Sequence, residues 1–299
     1  MIKKYFLLIS LLLSGCGTLD YQQIYLNKAN VVGPLVNPPI FISDERNSIT
    51  ISPRFSFNSI DKLAGPANSS KYLTDTINYT ANVNWDLPQY SAGLDIDLPI
   101  SKSVSFFGSI NYSSHHQFDL TGGSLGVGFK SVSKGSAIRF NLGGSLQQYQ
   151  YDARSVVVST ITPFLGDQYI RVDFYHDFDK KSNLGYFANL TYNTVIPDFP
   201  LNFYCSLAWF SQTVLNYSPR NLENLNNSLI VSTDNQDVNV ESSSNFLSLS
   251  PGIYIITNQL IRFVIGVNIV WNIGDFVPVS GPSTSNVFIM PMAKLDFMF

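Results

Sequence analysis

Two adjacent histidines, His115 and His116, are the residues of this sequence that most readily suggest catalysis. Ser113, Ser114 and Asp119 lie close to them in the chain, and histidine, serine and an acid together form a nucleophilic triad. Imidazoles are also common metal ligands. However, the pair lies in a predicted outer loop, and no cysteine or second histidine cluster accompanies it. We therefore expect a solvated loop at this position.

A glycine-rich stretch at residues 122–128 looks superficially like a phosphate-binding loop. Such a loop must lead into a helix. Here the glycines fall within an alternating strand pattern, in which glycine permits close packing or bends. His176 lies near a predicted strand end on the apolar face and is interpreted as an interfacial residue. The sequence therefore predicts no catalytic residue, no cofactor and no metal site.

The composition restricts the secondary structure in which the histidines and glycines discussed above can lie. The chain of 299 residues is 45% hydrophobic and 14% aromatic but only 13% charged, and its formal charge is 18 − 21 = −3. The charged fraction is about half that of an ordinary soluble domain. Membrane helices need about 20 consecutive apolar residues, and the sequence has no such stretch. The acidic balance disfavours nucleic acid as a partner.

From residue 48 onwards, apolar residues recur at every second position over segments of about ten residues, a pattern typical of strands. Ile49, Ile51, Phe55 and Phe57 are one example, with polar residues between them. A tilted strand that crosses a bilayer needs about nine to eleven residues, whereas strands of soluble sandwiches are commonly about five or six. The predicted fold class is therefore all-β, a closed antiparallel transmembrane barrel, with a soluble β-sandwich as the alternative.

The connectors set the strand count, because outer-membrane barrels have short periplasmic turns and longer outer loops. We predict tight turns at 99–103, 131–136, 179–183 and 257–259, and longer outer connectors at 59–89, 113–122, 149–167, 197–244 and 273–286. This alternation gives ten strands with both ends of the barrel in the periplasm, as a lipid-anchored N-terminus in the periplasm requires. Residues 76–85 and 201–210 also alternate, and we assign them to extended parts of outer loops. Counting both gives the alternative of twelve strands.

The N-terminus carries a different signal. Lys3 and Lys4 precede a nine-residue apolar run and then Leu13-Ser14-Gly15-Cys16, a pattern typical of a signal peptide and too short for a spanning helix. The end of this run resembles the lipobox of bacterial lipoproteins. The resemblance implies that Cys16 is lipidated, and Gly17 implies delivery to the outer membrane. With Cys16 lipidated, no intramolecular disulfide is available to Cys205, which we expect to be a buried or lipid-facing thiol.

The last strand carries a second resemblance. Leu295, Phe297 and the final residue Phe299 occupy every second position, with Asp296 and Met298 between them. This resembles the C-terminal signature that the barrel-insertion machinery reads. Together with the lipobox, it makes the chain similar to small lipid-anchored outer-membrane β-barrel proteins of Gram-negative bacteria. The implied organisation is a signal peptide at 1–15, a lipidated N-terminus with a proline-containing tether at 16–47, and a barrel at 48–299.

The ten-strand register predicts which charged side chains face the lumen. Five acids and six bases are nearly balanced, whereas an ion-selective pore is expected to present one sign of charge. We therefore expect a packed polar interior. The predicted lumen residues are Arg54, Asp95, Asp97, Lys130, Arg139, Arg171, Asp173, Asp177, Arg262, Lys294 and Asp296.

These observations predict a non-enzymatic outer-membrane lipoprotein with a structural or surface-interaction role through its outer loops. The alternatives are a pore or transporter for a small or hydrophobic solute, and a lipid-modifying enzyme. The expected partners are outer-membrane lipid, the lipoprotein-processing and barrel-insertion machineries, and an extracellular ligand at the loops. The expected location is the cell outer membrane, both lipid-anchored and membrane-spanning.

Overall fold

Ten antiparallel strands form a closed barrel in the computed structural model of the chain. The structure describes residues 17–69, 80–115, 118–163, 166–194, 196, 200–217, 231–232, 240–257, 260–278 and 286–299. Within these residues, no helix is long and apolar enough to cross a membrane. The strands are β1 (Gly17–Val32), β2 (Thr50–Phe57), β3 (Lys62–Ser69), β4 (Thr80–Asp86), β5 (Tyr90–Pro99), β6 (Val104–His115), β7 (Phe118–Ser133), β8 (Ser136–Pro163), β9 (Tyr169–Thr194), β10 (Leu201–Tyr217), β11 (Val231–Ser232), β12 (Val240–Ile256), β13 (Ile261–Asn272), β14 (Val277–Pro278) and β15 (Val287–Met298).

The barrel wall runs in the order β2, β5, β6, β7, β8, β9, β10, β12, β13 and β15. The last strand, β15, pairs with β2 and closes the sheet, with Met298 opposite Thr50. Closure matters because an open sheet edge in lipid would leave backbone donors and acceptors unpaired. The predicted fold class and the count of ten strands are confirmed.

The prediction nevertheless divided one strand into two and missed another, and these two errors cancel in the count. Residues 179–183 are not a turn, because β9 continues from Tyr169 to Thr194. Residues 201–210 are not part of an outer loop but belong to β10, which pairs with β9 and β12. The residues at 179–183 are all polar, but they contain neither glycine nor proline, so the strand continues through them. Of residues 76–85, those described lie in β4, outside the wall.

The two ends of the barrel differ in their connectors. At one end, which we call the terminal end, lie the short turns at 100–103 and 134–135 and the two chain segments joined by hydrogen bonds between Ile49 and Phe299. The turn at 134–135 contains Gly135 at φ 88°, a backbone conformation that favours glycine. The opposite end carries the longer connections. Two further predicted long connectors are wrong: residues 113–115 pair with residues 118–120 at the ends of β6 and β7, and residues 149–163 are a continuation of β8.

Apolar side chains point out of the wall and polar side chains point in. Leu125, Ile110 and Leu184 on the outer face are more than half exposed, whereas Asn141 and Thr191 on the inner face are fully buried. A soluble β-sandwich has the reverse arrangement, since its apolar face forms the core. An apolar outer belt around a closed barrel is the arrangement that lipid requires. Cys205 is a free, exposed thiol on this outer face.

At the end opposite the terminal end, the same sheet extends beyond the barrel wall. Beyond residue 147, β8 leaves β7 and pairs with β1, with Gln150 opposite Val32 and Pro163 opposite Gly17. Strands β4 and β3 extend this sheet from β1. We call β1, β3, β4, residues 148–163 of β8 and residues 169–182 of β9 the projecting sheet, and this end of the barrel the projecting end. At about 3.3 Å per residue, the projecting part of β8 is about 50 Å long.

Residues 17–47, which were predicted to be a tether between the lipid and the barrel, do not form such a spacer. Residues 17–32 form β1 of the projecting sheet. Residues 33–43, which we call the lumen segment, then enter the barrel, and all of them except half-buried Asn37 are buried. The segment leaves at the terminal end, where the exposed residues 45–47 lead into β2.

Candidate functional site: the filled lumen

The lumen segment crosses the barrel without forming a strand pair. Its sequence, GPLVNPPIFIS, contains Pro34, Pro38 and Pro39, which have no backbone N–H. A buried donor without a partner costs free energy, so prolines reduce the number of donors that the wall must satisfy. Their fixed φ also favours the extended conformation that fits a narrow lumen.

Side chains of the wall satisfy the carbonyl groups of the segment. Lys294 Nζ donates to the Ile40 carbonyl at 2.6 Å, and Arg262 Nη2 donates to that of Ile42 at 3.0 Å. The two donors belong to β15 and β13, which lie more than 200 residues after the segment in the chain. The wall therefore presents donors at positions where an extended polypeptide has its carbonyl groups. Further donors to the carbonyls of the segment are Gln212 to Pro34 (2.8 Å), Arg54 to Asn37 (3.2 Å), Asn189 to Pro39 (2.9 Å) and Asn193 to Ser43 (2.9 Å).

Two wall amides bind the segment through both their donor and their acceptor. Gln212 Oε1 accepts a hydrogen bond from the Val36 N–H at 2.8 Å, and Asn193 Oδ1 accepts one from the Ser43 N–H at 3.1 Å. Together with the carbonyl contacts, each amide therefore pairs with the segment as a neighbouring strand would. The amides fix both ends of the segment within the lumen.

Phe41 is the main apolar contact of the lumen segment. Its ring lies 5.4 Å from that of Phe107. The Arg139 guanidinium is 4.5 Å and the Lys294 ammonium 4.7 Å from the centre of the Phe41 ring. Cations over an aromatic face are attracted by the ring quadrupole, and more strongly when water is excluded. One apolar side chain of the segment thus holds two charged side chains of the wall in place.

The charged side chains of the lumen are paired with one another. Arg139 binds both carboxylate oxygens of Asp97, at 2.6 and 2.8 Å. Arg262 lies 2.6 Å from Asp296, which also lies 3.3 Å from Lys294. Asp95 lies 3.6 Å from Arg54 and 3.8 Å from Lys294.

Among the residues that the structure describes, the buried charges of the wall and that of Asp44 sum to zero. The wall contributes four cations (Arg54, Arg139, Arg262 and Lys294) and three acids (Asp95, Asp97 and Asp296), a sum of 4 − 3 = +1. Asp44, which directly follows the lumen segment, lies 3.8 Å from Arg262 and brings the sum to zero. The excess charge of +1 on the wall is thus balanced by Asp44, the residue that follows the lumen segment.

The other predicted lumen residues lie elsewhere. Lys130 is at the terminal end, where its Nζ donates to the Arg46 carbonyl at 3.1 Å. The placement of Arg171, Asp173 and Asp177 in the lumen is wrong, because this half of β9 belongs to the projecting sheet. Arg171 forms an exposed pair with Asp173 at 2.8 Å, and Asp177 accepts a hydrogen bond from Tyr217. The error follows directly from the turn predicted at 179–183.

An aromatic cluster closes the lumen at the projecting end. Phe210 stacks on Phe246 at 5.0 Å, and Trp85 contacts Phe246 and Phe276 edge-on at 6.1 and 5.9 Å. All four rings are at most 1% exposed. Trp85 also donates from Nε1 to the Gly33 carbonyl at 3.0 Å, so the cluster begins where the lumen segment enters.

The histidines singled out in the sequence are not at the lumen. His115 is the half-buried last residue of β6, and His116 lies outside the described residues. His176 is 59% exposed on the projecting sheet, and its Nε2 lies 2.8 Å from Asp152. Among the described residues, neither His176 nor Asp152 has a hydroxyl or thiol partner. The described residues also contain no group of three or more His, Cys, Asp or Glu side chains placed to hold a metal ion.

The residues of the predicted C-terminal signal lie on the final strand. Leu295 and Phe297 are half-buried on the lipid-facing side of β15, and Phe299 follows that strand and is exposed. Cys16, the predicted lipidation site, lies outside the described residues, directly before Gly17 of β1.

Sequence reasoning did not identify the neutral amides Asn189, Asn193 and Gln212, nor the role of the lumen segment. A signal for the segment was present, since residues 33–43 are more apolar than a solvated spacer should be. The amides carried no such signal, because asparagine and glutamine on the polar face of a strand are equally compatible with water.

Glycines on the inner face of the wall make room for the aromatic residues of the lumen. A Cβ on Gly126 would collide with the Phe107 ring and the Leu142 carbonyl, whereas one on Gly144, on the outer face, would have its nearest neighbour at 3.7 Å. We expect Gly126→Val to destabilise the folded barrel by about 1–3 kcal/mol through overpacking, and Gly144→Val to change it little. Urea titration followed by heat-modifiable gel mobility measures both. Equal losses for the two variants would contradict this role for Gly126.

The sequence matches no known protein family and no curated protein. Solved structures of similar fold include the outer membrane protease OmpT from Escherichia coli, at 8% identity over 87% of this chain and 99% of that chain, with a TM-score of 0.47. The translocator domain of the autotransporter NalP from Neisseria meningitidis has 7% identity over 85% and 90% of the two chains and a TM-score of 0.31. LpxR from Salmonella typhimurium has 9% identity over 83% and 100%, with a TM-score of 0.29. At these identities and TM-scores, no activity or site can be transferred to this chain.

Proposed function

We propose that this chain is a non-conducting outer-membrane lipoprotein whose projecting sheet contacts a partner outside the cell. The observation that carries the proposal is the filled lumen. The lumen segment occupies the barrel, the charges of the wall are paired with one another or with Asp44, and an aromatic cluster closes one end. The surface left for function is therefore the part of the molecule beyond the wall.

A pore or transporter receives less support from this arrangement. An aqueous path would require the lumen segment to leave and its carbonyl contacts with Arg54, Arg262 and Lys294 to be lost. A lipid-modifying enzyme also receives less support. The pair His176–Asp152 lies on the exposed face of the projecting sheet, and it has no described nucleophile as a partner. We accordingly propose a non-enzymatic role.

The membrane assignment within this proposal rests on the apolar belt of the closed barrel and on the short turns of the terminal end. In outer-membrane barrels the short turns face the periplasm and the longer connections face outward, so the projecting sheet lies outside the cell. Lipidation of Cys16 and recognition of Leu295, Phe297 and Phe299 by the insertion machinery belong to the same proposal.

The contact surface is the apolar face of β9 in the projecting sheet. Ile170, Val172, Phe174 and Phe178 point to the same side and are 48–78% exposed. They lie beyond Lys180 and Ser182, which separate them from the lipid-facing residues of the same strand. An exposed apolar patch outside the membrane is characteristic of a contact with another molecule.

The edge of the same strand indicates the kind of partner. Among the described residues, β9 pairs with β10 only at residues 185–193, so residues 169–178 have β8 as their one neighbouring strand. A free edge of this length offers backbone donors and acceptors to an added strand, and natural proteins usually protect such edges. The partner we propose is a protein that supplies an extended segment, which pairs with this edge and covers the apolar face.

A photo-crosslinking residue placed at position 174 in intact cells tests this function. We expect one discrete protein adduct at Phe174 and a much weaker or absent adduct at Arg171, on the opposite face of the same strand. Prior replacement of Ile170 and Val172 by serine should reduce the adduct at position 174 several-fold. Absence of an adduct at position 174, or equal adducts at both positions, would contradict a contact role for this face.

A further inference from the structure

We propose that the chain crosses the outer membrane through its own barrel, so that the lipidated Cys16 lies on the cell surface and not in the periplasmic leaflet. This inference deepens the proposed function and rests on its membrane orientation and its lipidation of Cys16. It replaces the expectation that a lipid-anchored N-terminus must lie in the periplasm.

The first step is the position of β1. Gly17 is opposite Pro163, and Val32 is opposite Gln150. Both partners lie in the part of β8 beyond its last pair with β7, which joins Gly122 to Gln147. All of β1 is therefore at the projecting end, and Gly17 is near the tip of the β8–β9 hairpin.

The second step is the path of the chain from residue 33 to residue 50. Gly33 enters beside Trp85 at the projecting end. Ser43 is bound by Asn193, one residue before the end of β9, and the Ile49 N–H donates to the Phe299 carbonyl at 3.1 Å at the terminal end. Eleven residues of extended chain, at about 3.3 Å each, reach about 36 Å, enough to span the hydrocarbon core of about 30 Å.

The third step is that the wall binds the crossing segment through defined hydrogen bonds. Its polar backbone groups are bound by buried side chains of β2, β9, β10, β13 and β15, from opposite sides of the wall. Two of these wall residues, Arg262 and Lys294, are charged and at most 2% exposed. A loosely placed tail would not supply carbonyl groups at the positions where these cations need acceptors.

The orientation then follows from the short turns. With the terminal end in the periplasm, residues 45–47 and Lys134 face the periplasm, whereas Lys28 on β1 faces outward. Because Cys16 directly precedes Gly17, its acyl chains are displayed outside, next to the projecting sheet. The lipid therefore belongs to the outward-facing contact region and does not tether the barrel to the inner leaflet.

Single cysteines probe the crossing in the full-length protein in intact cells. The background carries Cys205→Ser, since Cys205 is an exposed thiol. Lys28→Cys, Glu45→Cys and Lys134→Cys are each treated with a membrane-impermeant maleimide before and after permeabilisation of the outer membrane. All three native residues are exposed. We expect Lys28→Cys to react in intact cells and the other two to react at least tenfold more after permeabilisation.

Reaction of Lys28→Cys only after permeabilisation would overturn the proposal, and so would reaction of Glu45→Cys in intact cells. Incorporation of an alkyne-palmitate probe, measured in the wild type and in Cys16→Ala, tests lipidation separately. Loss of label in Cys16→Ala, together with the expected maleimide pattern, supports surface display of the lipid. Equal label in both proteins would refute the lipidation part of the proposed function even if the crossing itself were verified.

Discussion

Replacing residues 34–43 by a Gly-Ser sequence of equal length is expected to convert a closed barrel into one that passes small ions. The replacement removes the Phe41 ring and the three prolines, and it leaves a flexible chain that the wall does not hold in one place. Whenever this flexible chain leaves the lumen, the space released is about 5 Å wide, the width of one extended chain, and Arg54, Arg262 and Lys294 face it. Water and ions can then solvate these side chains.

Single-channel recording in planar bilayers measures this effect. The wild type should give no steady current, and the replaced variant should give reproducible conductance steps. Replacement of the exposed residues 45–47 by Gly and Ser serves as the control and should remain closed. Heat-modifiable gel mobility identifies folded protein in each sample. A folded replacement variant that stays closed, or a wild type that conducts, would refute the assignment of residues 33–43 as the element that fills the lumen.

Arg139→Ala is expected to cause the largest loss of stability among single substitutions in the lumen. Arg139 is 1% exposed, and it provides both hydrogen bonds to the Asp97 carboxylate. Its removal leaves a buried carboxylate without its partner, which costs about 3–5 kcal/mol. It also removes one of the two cations that contact Phe41. Urea unfolding in detergent or lipid vesicles, followed by gel mobility, measures the free energy of unfolding.

Two variants separate the cost of the unpaired charge from the loss of the arginine side chain itself. Arg171→Ala removes the same side chain from an exposed pair with Asp173 and should cost about 0–1 kcal/mol. The double variant Arg139→Met, Asp97→Leu replaces the buried pair by apolar side chains and should recover most of the stability that Arg139→Ala loses. Similar losses for Arg139→Ala and Arg171→Ala would show that the buried pair is not a stabilising element.

The barrel could be predicted because its signal is local. Alternation of apolar and polar residues is set by the two faces of a strand, and it is visible wherever the outer face meets lipid. The errors occurred where polar residues belong to a strand that has left the membrane. Lys180 and Ser182 interrupt the apolar face of β9 at the point where it emerges, and a break in apolar character resembles a turn. Residues 201–210 were assigned to a loop for a different reason, because counting them and residues 76–85 as strands would place long connectors on the periplasmic side.

The residues that face the lumen could be predicted from the sequence, but their partners and the segment that fills the lumen could not. The polar face of each strand could be identified from alternation, and seven of the charged residues expected in the lumen are buried there, including Arg139 and Lys294. Their partners depend on the shear of the closed sheet and on distances of up to 254 residues along the chain, which periodicity does not contain. The position of residues 33–43 inside the barrel depends on the same contacts between residues far apart in the chain. Prolines also occur in solvated linkers, so the composition of the segment alone could not place it inside.

The threaded lumen makes the molecule topologically similar to a rotaxane, in which a ring encloses an axle that cannot slide out. At one end the axle is joined to the projecting sheet through β1, and at the other it continues covalently into β2. The ring is sealed by pairing of β15 with β2, the last and first strands of the wall. Lys294 on β15 and Arg262 on β13 are also the cations that bind the carbonyls of Ile40 and Ile42. The strands at the seam of the ring thus also hold the axle, and we expect the lumen segment to be in place when the ring closes.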